Sequence, residues 1–440
     1  MKDEVGARAP LRTAPYAVLA GIILAYLVIA AQYAIRTPAW QVPDEPAHYN
    51  YVRYVVERRS LPVLQPGDYD QAFNERFTDP ANTPDLPIDP MRYEFHQPPL
   101  YYLLAAPVYA LTGGNLVALR LVSVLLGGAL IAVSFFAARE ACPQRLDLAL
   151  GAAALVAFVP QHVAMMAGVN NDSLAELLLA LALLQTIRVL KGGTRRGFIT
   201  LGMLLGLGFI TKTTNYLAAP VALVALLFSR RTSPSTDSAG LVLRSAFVFV
   251  PAVVIGSVWW LRNLSVYGGF DVLGLARHNA VVVGQPLTAD LIARLGVGPF
   301  LLSALTTTFH SFWGQFGWMG VPMPDGVYLG LGALSVIALL GWLSTLRPGQ
   351  ASRASLLLAL LTLSTFAAYA WYNLTFVQHQ GRYLFPALIP LGLVFSIGID
   401  RWTRLLPRRF GIVVYAGVFA TLAALDLYAL YRFVVPSLSG

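Results

Sequence analysis

The feature that most constrains this chain is a series of apolar runs, each close to twenty residues long and set off by short polar loops. Roughly 20 apolar residues are needed to carry a helix across the hydrocarbon of a bilayer. Backbone placed there must pair within its own segment, so such runs fold as helices. Composition agrees: 57% of the 440 residues are hydrophobic and 12% are charged, against roughly 25% charged in soluble domains. The fold expected is an all-α polytopic membrane protein, solvated largely by lipid. Its net charge of +9 does not imply a nucleic-acid partner, because the basic residues cluster in short loops and form no stripe. Cys142 is the only cysteine, which excludes an intrachain disulfide and a thiolate metal cluster.

The basic loops orient the runs. A polar arm with Lys2, Arg8 and Arg12 favours a cytoplasmic N-terminus, and the first run, 16–36, shows no convincing cleavage site and is expected to remain as a span. Residues 37–114 hold nearly half of the acids, with prolines at 62, 66, 80, 84, 87 and 90, and are expected as a long outer catalytic loop. Within it, 98–111 is apolar but short. Counting it as a span would turn Arg139 and Arg145 outward, so it is expected as an interfacial helix. Spans follow at 115–138, 147–168 and 173–190. The run 198–229 has basic clusters at both ends (Lys191/Arg195/Arg196 and Arg230/Arg231), which requires a hairpin turning outside at 211–215. A span at 244–262, a second outer loop at 263–325 and spans at 326–346, 354–372, 383–399 and 411–432 complete one membrane domain, 1–440, of about eleven transmembrane helices. All six histidines lie on or near the outer loops. Acid–base or metal chemistry therefore belongs to the outer face of what is expected to be a bacterial plasma membrane.

Two acids and an imidazole stand just past the first span, in Trp40-Gln41-Val42-Pro43-Asp44-Glu45-Pro46-Ala47-His48-Tyr49-Asn50. Pro46 suits the first turn of a helix, which makes Glu45 the expected N-cap. At their spacing Asp44, Glu45 and His48 can face one spot, although acids at a helix start also complement the macrodipole with no further role. Asp172 sits at the next outer turn, where it or Ser173 could cap the following helix. Glu176, one turn on, would lie within the bilayer and should face the protein interior or a cavity. Lys212 turns the hairpin, Arg262 ends a span after Trp259-Trp260, and Arg382 opens another. Each could anchor in the headgroups. Together with His96 they could instead ring an anionic group, for which the arginine fork is well shaped. The segment Trp313-Gly314-Gln315-Phe316-Gly317-Trp318 suits sugar stacking or interface anchoring.

In their order and spacing these motifs resemble the GT-C superfamily of membrane glycosyltransferases, which includes the protein O-mannosyltransferases and the lipid A aminoarabinose transferases. The likeness is strongest to a bacterial branch of predicted membrane proteins. It is carried by Pro43-Asp44-Glu45-Pro46-Ala47-His48, His96-Gln97-Pro98-Pro99-Leu100-Tyr101-Tyr102, Asn171-Asp172, Gly206-Leu207-Gly208-Phe209-Ile210-Thr211-Lys212 and Gly381-Arg382-Tyr383-Leu384-Phe385-Pro386. The resemblance implies a polyprenyl-phosphate-linked sugar donor and transfer to an acceptor hydroxyl on the outer face. It leaves the acceptor open between protein, lipid and glycan. No large soluble C-terminal domain is visible, which separates the expectation from the oligosaccharyltransferases.

Within that chemistry Asp44 matches the acid of the first outer loop and is the expected base, while Asp172 matches the acid of the second. Inverting glycoside chemistry likewise sets one carboxylate opposite the leaving group. Asp172, with Glu45 or His48, would hold the acceptor or a divalent metal, and Asp44 and Asp172 are the expected ligands of an Mg²⁺ or Mn²⁺ ion. His48, His96, Lys212, Arg262 and Arg382 are the expected substrate-binding residues. A transporter or flippase of anionic lipid-linked substrates would instead need charges near the midplane. A non-enzymatic envelope assembly protein would use the acidic outer loop as a partner surface.

Overall fold

A computed structural model of the protein describes residues 14–79, 86–229, 238–347, 349 and 351–439. The N-terminal arm and the Arg230/Arg231 pair lie outside the described residues. Among those described, eight helices are long and apolar enough to cross a membrane: Ala14–Arg36, Leu116–Ala141, Asp172–Gly192, Gly240–Tyr267, Asp325–Leu343, Arg353–Asn373, Gly381–Thr403 and Arg408–Leu438. A ninth is the pair Leu146–Ala157 and Pro160–Met166, bent by 64°. The expected count of about eleven is not confirmed. The difference lies in the hairpin at 198–229, whose limbs are the helix Arg195–Phe209, 15 residues long, and the segment Thr213–Ser229. Fifteen residues rise only about 22 Å, short of the roughly 30 Å hydrocarbon core.

The bend has an identifiable cause. Pro160 has no N–H to give the Val156 carbonyl four residues back, and its ring disfavours continuation of the helix. His162 makes good the loss: its Nδ1 lies 2.8 Å from that same Val156 oxygen. The other ring nitrogen lies 3.0 Å from a Glu176 carboxylate oxygen, so Glu176 does face the interior, as a carboxylate at this depth must. Helix Leu146–Ala157 is buried along most of its length and packs against Leu116–Ala141 and Leu388–Thr403. Small residues permit the close approach: at Gly392 a Cβ would fall 3.0 Å from the Ala152 carbonyl oxygen.

The two ends of the bundle differ in kind. At one end Arg145 pairs with both Asp147 and Asp400, Lys191 and Arg188 pair with Glu140, and Arg353 donates to the Phe228 carbonyl. At the other end the segments 37–79, 86–99 and 262–323 fold over the helices and lean on each other. The Tyr267 hydroxyl receives the Leu64 N–H, Arg262 donates to the Pro62 carbonyl, and Trp318 Nε1 donates to the Trp40 carbonyl. Val282 packs with Ala47, Phe77, Met91 and Tyr93 in a small apolar cluster of its own. The segment expected as an interfacial helix folds as the helix Leu100–Thr112, packed on helix Glu45–Arg58 through the stacked rings of Tyr51 and Tyr102, 3.6 Å apart.

Candidate active site

The turn that carries the first acidic motif is strained and clamped. Trp40 and Asp44 both adopt left-handed backbone, at φ 68° and 66°, a conformation costing of order 1–3 kcal/mol for such residues. Beneath them Glu45 and Arg120 form a fully buried pair. All five guanidinium N–H groups find acceptors: Glu45 Oε1 at 2.7 Å and Oε2 at 2.6 Å, and the carbonyls of Ala34, Thr37 and Pro38. The carboxylate in turn accepts the backbone N–H groups of Trp40 and Val169. A buried ion pair survives only when its remaining donors and acceptors are satisfied in this way. The clamp ties the end of the first span, the start of helix Glu45–Arg58 and the turn before Asp172 to one arginine in the second span.

This placement corrects the expected role of Glu45. Glu45 is the first helical residue and not the N-cap, and its side chain points into the clamp, away from His48 and Asp44. The N-cap position belongs to Asp44, whose side chain makes no capping bond. That carboxylate instead reaches across the molecule, accepting from Arg382 Nη2 at 2.7 Å and from the Tyr93 hydroxyl at 2.9 Å. Burial pushes the Asp44 carboxyl up, but the Arg382 guanidinium, His48 and the Tyr93 hydroxyl outweigh it and hold the group below its ordinary value. Arg382 is set by the glycine before it: a Cβ at Gly381 would fall 2.2 Å from the Phe312 nitrogen, and the Gly381 N–H donates to Ser311 Oγ.

A second ion pair stands beside the first. Lys212, at the hairpin tip, donates to Asp172 Oδ1 at 2.6 Å. Asp172 opens helix Asp172–Gly192 without capping it; its own N–H is taken by Asn170 Oδ1. Asn171 joins this turn to Gln97 and to the Thr211 carbonyl. Between the two pairs His48 is buried, with its Nδ1 2.8 Å from the Tyr102 hydroxyl. Burial pushes the imidazole below its usual value and Lys212 adds to the effect, so His48 is neutral at pH 7. The structure thus brings together Asp44, His48, Asp172, Lys212 and Arg382.

Two expected residues stand apart from this group. His96 is buried, its Nδ1 bonded to the Tyr93 carbonyl and its ring 4.4 Å from that of His278. Burial, reinforced by His278, lowers it to about 3, so it offers no positive charge to an anion at neutral pH. Arg262 donates to Pro62 and Asn263 and lies over the rings of Trp259 and Tyr267, binding loop to span. The sequence reading missed Arg120, Tyr93, Tyr102 and Glu94. Of these only Arg120 carried a usable signal, as a charge inside an apolar run.

A cavity of about 230 Å³ opens beside Asp44. Asp44, Glu94 and Arg382 supply its charges, and Tyr69, Tyr93, Trp318, Tyr372 and Tyr383 its aromatic walls. Trp318 reaches it from a short hairpin, Gln315–Phe316 paired with Val321–Pro322. Arg382 keeps unused capacity there: its Nε is buried with no acceptor, and Nη1 lies 3.9 Å from the Met165 sulfur. Asp44 and Asp172 are each held by a basic side chain, and among the described residues no group of three or more His, Cys, Asp or Glu is placed to hold a metal.

The family described as dolichyl-phosphate-mannose-protein mannosyltransferase matches residues 96–260. No curated protein matches the chain significantly by sequence. Among solved structures, ArnT from Cupriavidus metallidurans in the apo state is 15% identical, with a TM-score of 0.55 over 97% of this chain and 74% of that one. The same protein bound to undecaprenyl phosphate gives 15% identity and a TM-score of 0.52 over 98% and 74%. The archaeal oligosaccharyltransferase AglB from Archaeoglobus fulgidus, in complex with an inhibitory peptide and a dolichol-phosphate, is 16% identical, with a TM-score of 0.53 over 97% of this chain and 56% of that one. The chain has the fold of the GT-C glycosyltransferases.

Proposed function

We propose that the protein transfers a sugar from a polyprenyl-phosphate donor to an acceptor hydroxyl, with Asp44 as the base, at the outer face of the membrane. The observation that carries this reading is the Asp44–Arg382 pair at the wall of the cavity, where a carboxylate and a guanidinium with unused donors meet. Supporting it are the GT-C fold and the undecaprenyl phosphate and dolichol-phosphate bound by two proteins of similar fold. The basic end of the bundle supports this orientation, since the positive-inside rule favours such an end on the cytoplasmic side. The site lies at the opposite end.

The step balances without any other group. The acceptor O–H gives its proton to the Asp44 carboxylate as its oxygen forms the new bond to the anomeric carbon. The bond from that carbon to the phosphate oxygen breaks, and the polyprenyl phosphate leaves with the electron pair. Arg382 and Lys212 are the cations available to take up that charge, an electrostatic role worth several kcal/mol in a dry site. Arrival of the donor phosphate at Arg382 also draws the guanidinium from Asp44, so the carboxylate becomes a stronger base only when substrate is bound. No step is assigned to a metal.

Sugar transfer from labelled polyprenyl-phosphate-sugars, with envelope extract supplying the acceptor, tests the reading. Asp44→Asn should retain fold and lipid binding and lose about 10²- to 10⁴-fold in turnover, the usual contribution of base catalysis. EDTA should leave the wild-type rate unchanged. Equal turnover by wild type and Asp44→Asn would sink the assignment.

A further inference from the structure

On the reading that the cavity beside Asp44 holds the donor, we infer that the cavity is polarised, with Glu94 as the residue that reads the sugar. Its Arg382 wall takes the phosphate. Its Glu94 wall takes the hydrogen-bond donors of the sugar ring, whether hydroxyls or a protonated amine.

The charges leave Glu94 over. Arg382 is paired with Asp44 and Lys212 with Asp172, and among the described residues no basic side chain pairs with Glu94. Its Oε2 is buried and has no hydrogen-bond partner. A buried carboxylate oxygen left in this state carries its full desolvation penalty, which a ligand offering O–H or N–H groups removes. A second acceptor without a partner, Gln285 Oε1, lines the same cavity. Asn74 Oδ1 is a third such acceptor, and the cavity's unpartnered donor is Arg382 Nε. One cavity therefore holds unpartnered acceptors at Glu94, Gln285 and Asn74 and an unpartnered donor at Arg382, which is the complement of a sugar phosphate laid across it.

The backbone explains why the two functions sit so close. Glu94 lies in the 3₁₀ turn Tyr93–His96, and its neighbour Tyr93 donates to Asp44. A single short turn thus delivers the hydroxyl that holds the base and the carboxylate that meets the ring. Tyr69, Trp318 and Tyr372 line the space with aromatic faces suited to the C–H surface of a sugar. The charge of Glu94 is felt at His48, Lys212 and Tyr372, which puts it in the same electrostatic unit as the ion pairs. The cavity, at about 230 Å³, is also below the roughly 300–1,000 Å³ of drug-sized pockets, a size suited to one sugar unit.

Binding measurements on the full-length protein in detergent separate this from a structural role. The probes are undecaprenyl phosphate, its hexosyl ester and its amino-hexosyl ester, each against wild type, Glu94→Gln and Glu94→Ala. Wild type should bind at least one ester more tightly than the free lipid phosphate. Glu94→Ala should erase that gain, a loss of about 10- to 100-fold for hydrogen bonds to a charged group, and bind undecaprenyl phosphate as wild type does. Retention of the hexosyl gain by Glu94→Gln identifies hydroxyls as the partners; loss of an amino-hexosyl gain in Glu94→Gln identifies the amine. If Glu94→Ala keeps the full gain on both esters, or weakens the free lipid equally, or if no ester binds wild type more tightly than the free lipid, the inference is wrong. Failure of wild type to bind the free lipid phosphate would instead overturn the proposed function.

Discussion

Asp44 is a carboxylate made unusually acidic by its partner, and its acidity is the most direct test of the residue's role. With Arg382 in place its pKa lies below the ordinary value, so the unprotonated base persists as pH falls to about 4, the value of an unperturbed aspartate. Activity that depends on this base is kept above the depressed pKa and lost only as pH falls through it. Arg382→Gln removes the guanidinium and leaves the burial, which acts in the opposite sense. The acid limb of kcat/KM should then move up by about 1–3 pH units, the usual effect of a close opposite charge, and the maximal rate should fall as the leaving phosphate loses its cation. Arg382→Lys should restore the limb better than the rate, because lysine supplies charge without the planar fork. A pH profile for Arg382→Gln with the wild-type limb and a lower rate would remove Asp44 as the titrating group. Asp44, Asp172, Lys212 and Arg382 were each legible as candidates, being charges at the ends of apolar runs. Which carboxylate meets which cation was not, because Asp44 and Arg382 are 338 residues apart and nothing local encodes their contact.

At the scale of elements, the Glu45–Arg120 clamp decides whether the turn at 40–44 can hold its left-handed residues. Removing one partner of a buried pair leaves the other charge uncompensated, at a cost of about 3–5 kcal/mol. Arg120→Leu should lower the thermal midpoint in detergent strongly, and Glu45→Gln should lower it as well as turnover. Glu45→Leu combined with Arg120→Leu should be far less damaging than the sum of the single changes, the signature of residues acting as one unit. Loss of turnover in Glu45→Gln with an unchanged midpoint would return Glu45 to the catalytic group, where its spacing from Asp44 and His48 first put it. That spacing was misleading for a physical reason. Asp44 and His48 do come together, but Glu45, the first residue of the helix, is turned to the buried Arg120 in the neighbouring span, a contact 75 residues away that local spacing does not encode. Proline at 160 was equally visible in the chain, and the break it causes was predictable; that His162 would satisfy the freed carbonyl was not.

For the whole molecule, the apolar runs were the most legible level of all, because lipid leaves the backbone so few alternatives. Eight of the nine runs expected between 16 and 432 as single spans have a single long helix in the same place, the exception being the run bent at Pro160, and the run at 408–438 continues through a π-helical turn at Leu430–Val434. The count is unconfirmed where length is marginal, at the hairpin limbs, since a run of about fifteen residues can pack beside spans without crossing. What remains is the direction of the bundle. The ion pairs at one end, from Arg145, Lys191 and Arg404, place the loops 142–146, 192–195 and 404–408 together, and the arginines there face the cytoplasm if the charge rule holds. Asp89 and Arg409 are exposed and lie at opposite ends. In a Cys142→Ala background, Asp89→Cys should react with a membrane-impermeant maleimide in intact cells, and Arg409→Cys only after permeabilisation. Loss of the exposed Arg53–Asp89 pair should cost little, so the reporter should not disturb what it reports. The opposite labelling pattern would put the Asp44 cavity in the cytoplasm and, with it, the acceptor. An aqueous nucleotide-sugar pool would then compete with the lipid-linked donor for this site, and the case for a polyprenyl phosphate at Arg382 would have to be made from binding alone.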